Sequence, residues 1–393
     1  MTSPYCERAI EDALKHGNAL LKFISRNNVG LTGSHECGFY LPKIVHGLFT
    51  PHGPEKGANS KHDLTITWQD GRVTESVITF YGNKTRSEYR LTRFGKDFPF
   101  LNEGVVGDML VLISTAPGEA LAYVLDFDED IEEIQSTLGV DAFGKWGVFI
   151  DGAPATEENE DACVERRIRQ FSAGFTSFPP NDVFSAATLD ILKGCSKKFS
   201  KKPLDLVLVE AYSTEYELFR AVERIVCQND VSGRLFKDID DFLKVAGSIM
   251  NRRKSRAGRS FENHVHAILE AAKVPHKMRP DLGPDGTPDI IIPSQEAYLD
   301  PSCPPEKLMV VGLKTTCKDR WRQVTQEGLK VPRKHLITLQ QGVTATQLKQ
   351  MEAANVSLVV PTPFHKHYPS DGVVQPLTME SFVEAARRLT IRD

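Results

Sequence analysis

Two rhythms of apolar residues divide the chain. Up to about Gly152 they come in short runs separated by Gly, Pro and Asn. Leu64-Thr65-Ile66-Thr67-Trp68 alternates, Val77-Ile78-Thr79-Phe80-Tyr81 is β-branched and aromatic, and Met109-Leu110-Val111-Leu112-Ile113 is unbroken. Alternation and short apolar runs are strand signatures, and many short strands predict a barrel or pseudobarrel. After Asn181 the rhythm lengthens. Helical spacing covers 216–227 and 239–250, and a further helix starts near Ser260 with Phe261, Val265, Ile268 and Leu269 as its buried stripe. Strands at 290–292, 308–311, 335–339 and 356–361 then alternate with helices, which predicts a mixed sheet flanked by helices. The acidic stretch Thr156-Glu157-Glu158-Asn159-Glu160-Asp161 and the stop Phe178-Pro179-Pro180-Asn181 separate the halves. The expected organisation is multidomain α+β: a β-rich domain over 1–170, a linker over 171–181 and an α/β domain over 182–393.

Composition narrows this picture. A chain of 393 residues holds two or three domains. No run of about 18 apolar residues occurs, so no membrane span is expected. The first residues lack the regions of a signal peptide, so a cytoplasmic location is expected. The 7 cysteines contain no CxxC pair, which predicts reduced thiols rather than a zinc ribbon or a disulfide frame. A net charge of -4 argues against a general polyanion binder but not against a sequence-specific one, for which local clusters of Lys and Arg matter. Such clusters occur at Lys84, Arg86, Arg90 and Arg93, at 252–259, and at 314–322.

The third cluster carries candidate chemistry. Pro288-Asp289 opens the apolar strand Ile290-Ile291-Ile292, and Lys314 closes the strand Leu308-Met309-Val310-Val311 that follows. Pro288 favours an extended entry. A strand-end carboxylate facing a strand-end lysine is the pattern of metal-dependent phosphodiesterases of the PD-(D/E)xK type. Such chemistry needs an activated water and positive charge on the transition state, which Mg²⁺ held by hard carboxylate oxygens supplies. Asp289 is the first metal-ligand candidate, and Lys314 is the group that orients water and offsets phosphate charge. The usual second acid, two residues before the lysine, is Gly312. Glu327 is the replacement, expected on a helix whose face carries Arg320, Gln323 and Glu327 at i, i+3 and i+7. Glu262, flanking the stripe of the helix near Ser260, is a fourth candidate.

Several segments together resemble the EcoRII-type restriction endonucleases, type IIE members of the PD-(D/E)xK superfamily. They are Thr32-Gly33-Ser34-His35, Gly82-Asn83-Lys84-Thr85-Arg86-Ser87-Glu88, Asn251-Arg252-Arg253-Lys254-Ser255-Arg256-Ala257-Gly258, Lys314-Thr315-Thr316-Cys317-Lys318-Asp319-Arg320-Trp321-Arg322-Gln323 and Val359-Val360-Pro361. The resemblance implies a Mg²⁺-dependent homodimer that cuts double-stranded DNA at CC(A/T)GG and needs two copies of the site. It implies an N-terminal pseudobarrel that binds the effector copy and restrains the C-terminal nuclease. It gives Glu262, Asp289, Lys314 and Glu327 the catalytic roles, with Asp289 and Glu327 at the metal. A separate cytosine methyltransferase protecting host sites is an implied functional partner.

By the same resemblance Lys318, Asp319 and Arg320 read the flanking C·G pairs, with Arg322 beside them. Asp accepts from cytosine N4, while Lys and Arg donate to guanine O6 and N7; Asp319 equally suits the start of a helix. Tyr216 is placed to stack a flipped base or to pack in the core, although Ala211 stands where a basic partner is expected. In the effector domain, His35 and Tyr40 lie on one candidate DNA loop, and Lys84, Arg86, Glu88, Arg90 and Arg93 on another. The cluster over 252–259, expected between two helices, suits phosphate contact or intersubunit pairing. The alternative function is a sequence-specific DNA-binding regulator with an inactive nuclease fold.

Overall fold

The computed structural model describes the chain apart from residues 1, 33–37, 43, 51–58, 83–87, 143–145, 152–161, 233, 371–373 and 391–393. It divides into two compact units. One comprises Met1–Thr156 with the short segments Gln341–Ala345 and His367–Pro369, and the other comprises the remaining residues from Glu157.

The first unit begins with α1 (Pro4–His16), capped where the Ser3 hydroxyl accepts from the Cys6 N–H and closed by Gly17 at φ 67°. Then follow β1 (Asn18–Phe23), β2 (Phe39–Leu41), the short α2 (Val45–Leu48), β3 (Ser60–Trp68), β4 (Val73–Tyr81), β5 (Glu88–Thr92), β6 (Met109–Ala116), β7 (Glu119–Leu125), α3 (Asp128–Leu138) and β8 (Gly147–Ile150). The strands form one eight-stranded sheet in the order β2-β5-β4-β3-β7-β6-β1-β8. The alternation read in β3 buries Leu64, Ile66 and Trp68, and the unbroken run in β6 is buried from Met109 to Ser114. Trp68 packs against Phe94, Phe98 and Phe100. The edge strands β2 and β8 do not pair as a ladder, yet the Trp146 indole N–H, one residue before β8, donates to the Tyr40 carbonyl on β2 at 2.8 Å. The large sheet therefore curls until its edges meet at one side-chain bond.

The second unit opens with four helices: α4 (Ala162–Ser172), α5 (Asn181–Cys195), α6 (Leu204–Val231) and α7 (Ile239–Ala271). Four sequence expectations change here. First, α7 is one helix of 33 residues, so neither a break across 252–259 nor a helix start near Ser260 exists. Arg, Lys and Ala are strong helix formers, and a charged stripe does not end a helix. Second, the segment expected as a linker over 171–181 belongs to this unit. Val164 and Ile168 of α4 share a core with Phe184, Ile191, Leu218 and Phe219, and Phe171, Phe175 and Phe178 pack against it. Third, the β-rich domain was expected to run to 170, which would include most of α4. The acidic stretch over 156–161 lies outside the described residues. Fourth, Cys163 and Cys195 form a disulfide between α4 and α5. Their sequence separation of 32 carries no motif, and only helix packing brings them together. Cys6, Cys227, Cys303 and Cys317 are not in disulfides.

Beyond α7 come β9 (Lys277–Met278), β10 (Ile290–Ile292), α8 (Gln295–Leu299), β11 (Met309–Lys314), β12 (Lys334–Thr338), α9 (Ala345–Ala353), β13 (Val356–Val359), α10 (Thr362–His365) and α11 (Met379–Thr390). The sheet order is β13-β12-β11-β10-β9, with β10 antiparallel to both neighbours and β11, β12 and β13 parallel. Ile290, Ile291 and Ile292 are fully buried, as are Val310, Val311, Leu336 and Ile337. Strands buried on both faces read as continuous apolar runs rather than alternations. No helix among the described residues is long and apolar enough to cross a membrane.

Candidate active site

The antiparallel register of β10 and β11, Ile290 opposite Val311, puts the start of one strand beside the end of the other. Asp289 thereby reaches Lys314. Its Oδ2 accepts from the Leu313 backbone N–H at 2.6 Å and from Lys314 Nζ at 3.1 Å. Both donors converge on one oxygen, and among the described residues Oδ1 accepts no hydrogen bond.

Gly312 precedes Lys314 by two residues and shares its face of β11. A Cβ at 312 would lie 2.5 Å from Val324 Cγ2. Val324 belongs to a 3₁₀ helix, Arg320–Gln326, which also buries Trp321. That helix thus fills the space that an acid at 312 would need. Glu327 comes directly after it in extended backbone, φ -114° and ψ 149°. The expected face of Arg320, Gln323 and Glu327 is not formed, because the three-residue period aligns 320, 323 and 326 instead. Glu327 is placed by its neighbours. The Gly328 N–H donates to the Asp285 carbonyl at 2.7 Å, and a Cβ at Gly286 would lie 3.4 Å from Glu327 Cγ. Buried Lys334 donates to the carbonyls of Gly328, at 2.6 Å, and Val331. Burial and the Asp289 charge push the Glu327 carboxyl above its ordinary range, while Lys314 opposes them. Two carboxylates held where one resists ionisation are a donor set that a divalent cation relieves.

Glu262, on α7, joins this group through another residue. Arg279 grips it with two bonds, Nε to Oε2 at 2.9 Å and Nη2 to Oε1 at 2.6 Å. The Arg279 N–H in turn donates to the Asp289 carbonyl at 2.9 Å. The hydrogen bond to Glu262 raises the Arg279 pKa, and the charges of Glu262 and Asp289 add to it. Nothing in the sequence marks Arg279 or Lys334; each matters only through the folded backbone it meets.

The DNA-reading candidates continue from β11. The Cys317 N–H donates to Gln340 Oε1 at 3.1 Å, and Gln347 Nε2 donates to the Lys318 carbonyl at 3.3 Å. Burial pushes the Lys318 ammonium down to about 8, with Asp319 opposing. Asp319 is exposed at the entry to the 3₁₀ helix, without a side-chain capping bond. Arg322 is exposed, lies 4.6 Å from the Trp321 ring centre and donates to Gln350 at 3.4 Å. Tyr216, on α6, is half-buried, with the Arg256 guanidinium 4.8 Å from its ring centre. A cation thus stands beside Tyr216, from α7 rather than from position 211.

In the first unit, His35, Lys84 and Arg86 lie outside the described residues. Glu88 opens β5, half-buried and opposite Tyr81. Tyr40 and Arg90 face each other across β2 and β5. The guanidinium lies 4.3 Å from the Tyr40 ring centre and donates to its hydroxyl. Arg90 is buried, whereas Tyr40 is partly exposed. Arg93 has a left-handed φ of 66° just beyond β5.

Gly312→Ala tests the packing that positions Glu327. The added methyl meets the branch of Val324, so a loss of about 1–3 kcal/mol is expected in denaturant unfolding, with cleavage impaired more than DNA binding. Unchanged stability would show that Val324 yields and that Gly312 is not required there.

Comparison with known proteins gives the family. Residues 219–383 match the family described as EcoRII C terminal, and residues 13–139 match that described as restriction endonuclease EcoRII, N-terminal. The type II restriction enzyme EcoRII of Escherichia coli is 29% identical over 392 residues, covering 95% of each chain. Two solved structures are also similar at 19% identity and over 58% of this chain. They are metal-depleted Ecl18kI with uncleaved, modified DNA (TM-score 0.40, 84% of that chain) and with uncleaved DNA (TM-score 0.34, 78% of that chain). With both family regions in order along one chain, and a relative matched almost end to end, the chain belongs to the EcoRII family of type II restriction endonucleases.

Proposed function

We propose that this endonuclease makes Mg²⁺-dependent double-strand cuts at CC(A/T)GG as a homodimer. We propose further that its first unit binds a second, effector copy of the site and restrains the nuclease. The observation that carries the reading is the convergence of Asp289, Lys314 and Glu327, brought from three segments to one end of β11. Bound Mg²⁺ would supply an activated water and offset charge on the phosphate. Asp289 Oδ1 and the Glu327 carboxylate are the oxygens that would hold it. The Leu313 N–H fixes Asp289 so that its open oxygen keeps one direction. Lys314, steadied by the same carboxylate, is placed to orient water and to stabilise the developing charge on the phosphate. Arg279 holds Glu262 beside the Asp289 backbone, so Glu262 serves as a positioning group.

Lys318, Asp319 and Arg320 read the outer C·G pairs, since the set offers both a cytosine N4 acceptor and guanine donors. Arg322 contacts the backbone next to them. Tyr216 with Arg256 lines the pocket for the flipped central base. In the first unit Tyr40, Glu88 and Arg90, with His35, Lys84 and Arg86, form the effector contact, in which buried Arg90 supports the Tyr40 ring. A separate cytosine methyltransferase protects the host's sites. The reading as an inactive regulator is not favoured, because all three groups of the centre are intact.

Cleavage of plasmids with one and with several CC(A/T)GG sites tests the whole reading. Much faster cutting of the multi-site plasmid is expected; equal cutting of both would remove the effector mechanism. A truncated chain starting at Glu157, which keeps α4 in its core, is expected to cut single-site DNA. If it stays inactive there, restraint by the first unit is wrong.

Asp289→Ala is expected to abolish cleavage while preserving specific binding; retained cutting would remove Asp289 from the centre. Lys318 gives a pH signature. Its charged form makes the contact, and its proton is lost above about 8 in the free protein. Specific affinity should therefore be full below that pH and fall by up to about tenfold per pH unit above it. Lys318→Arg, charged throughout, should flatten the decline. Identical profiles for the two proteins would exclude Lys318 from the contact.

A further inference from the structure

We propose that His266, Glu270 and His276 form a second metal site, for a borderline-soft divalent ion such as Zn²⁺, separate from the nuclease centre and independent of the nuclease reading. His266 and Glu270 stand one turn apart at the end of α7, so they share a face. The chain then reverses. Lys273 takes a left-handed φ of 57°, its N–H bonds to the Glu270 carbonyl at 2.9 Å, and the Val274 N–H bonds to Leu269 at 3.0 Å. This turn brings His276 back against the helix with its side chain only 1% exposed. His276 Nδ1 lies 2.7 Å from the Val274 carbonyl. A carbonyl accepts only, so that nitrogen carries the proton and Nε2 presents its lone pair. Such an outer bond is how metal-binding imidazoles are oriented.

The lone pair meets His266 Nδ1 at 2.7 Å, and the Glu270 carboxylate lies 4.0 Å from His276 Nε2. All three ligand atoms are within 4.8 Å of one another. Tetrahedral zinc with bonds of about 2.0–2.1 Å sets its ligands about 3.3 Å apart. The two nitrogens would open by about 0.6 Å and the carboxylate would close on His276 by about 0.7 Å. Glu270 is 65% exposed and free to make that move. Two imidazoles and one carboxylate leave a fourth position for water. The same set discriminates against Mg²⁺, which prefers oxygen ligands, so the two ions sort to different sites.

The location gives the ion a structural role. His276 leads directly into β9, where Met278 pairs with Ile290, and Arg279 follows with its bonds to Asp289 and Glu262. An ion at the α7 end would tie that helix to the strand which supports the catalytic aspartate.

Calorimetric titration of Zn²⁺ into the full-length, chelator-treated protein in excess Mg²⁺ tests the proposal, with Co²⁺ absorption reporting tetrahedral nitrogen ligation. One ion per chain is expected in the wild type and in Asp289→Ala. At least about tenfold weaker binding is expected in His266→Ala and in Glu270→Ala, whose side chains are exposed, so folding should persist. His276→Gln should behave likewise. Undiminished Zn²⁺ binding in His266→Ala, or binding lost in Asp289→Ala but kept in His266→Ala, would overturn the proposal. So would the absence of any binding in excess Mg²⁺.

Discussion

The contact between Val324 and Gly312 sets the geometry of the nuclease centre. A strand residue two before the lysine ordinarily carries the acid; here its space is filled from above by a valine. The segment that supplies the valine also carries Glu327, the acid proposed for the centre, three residues later. The price is that its position rests on a loop rather than on a strand ladder. The structure offsets this with anchors on both sides. Gly328 bonds back to Asp285, and the ammonium of Lys334 sits buried under two loop carbonyls. A buried ammonium is costly unless its donors are met, so the loop and the lysine hold each other in place.

The same economy governs charge around the centre. Asp289 and Glu327 repel each other, and burial sharpens the repulsion. Lys314 and Arg279 counter it from different directions, one at the Asp289 side chain and the other through Glu262 and the Asp289 backbone. The result is a site where two cations partly offset three carboxylates. Positions fixed by hydrogen bonds in the resting protein cost nothing further to organise when substrate arrives, which is the basis of preorganised catalysis.

Much of this was legible in the sequence, and the parts that were not share a cause. The apolar run Ile290-Ile291-Ile292 marks a buried strand, and Asp289 and Lys314, at the ends of neighbouring strands, do meet. What spacing cannot express is the conformation between motifs. A helical period over 320–327 looks the same whether the turn is α or 3₁₀, and the tighter turn moves Glu327 off the expected face. The charged run over 252–259 looks like a boundary but is the middle of α7. Phe171, Phe175 and Phe178 look like a linker only until the core they enter is known. Arg279, Lys334 and the Cys163–Cys195 bond depend on chain segments that meet only in three dimensions.

The basic run of α7 also explains how a chain of net charge -4 presents positive charge where it is needed. Arg253 is spent on buried Glu223, with Nε and Nη2 at 2.8 and 3.0 Å. Arg256 is buried among Tyr212, Tyr216 and Phe219. Arg252 lies 3.9 Å from the Phe178 ring centre, and Arg259 lies 3.6 Å from Glu262. Four of these cations thus pack against neighbouring segments or flank Glu262, so the run is chiefly internal mortar rather than a phosphate rail. Counting Lys and Arg along a sequence therefore overstates the DNA-facing charge. In the second unit the cations proposed to meet DNA gather after β11, in the few residues that follow Lys314. On the proposed reading, recognition and chemistry are coupled there by covalent continuity: a shift that spoils the fit of Lys318 or Arg320 to a base pair would be carried along the backbone to Lys314.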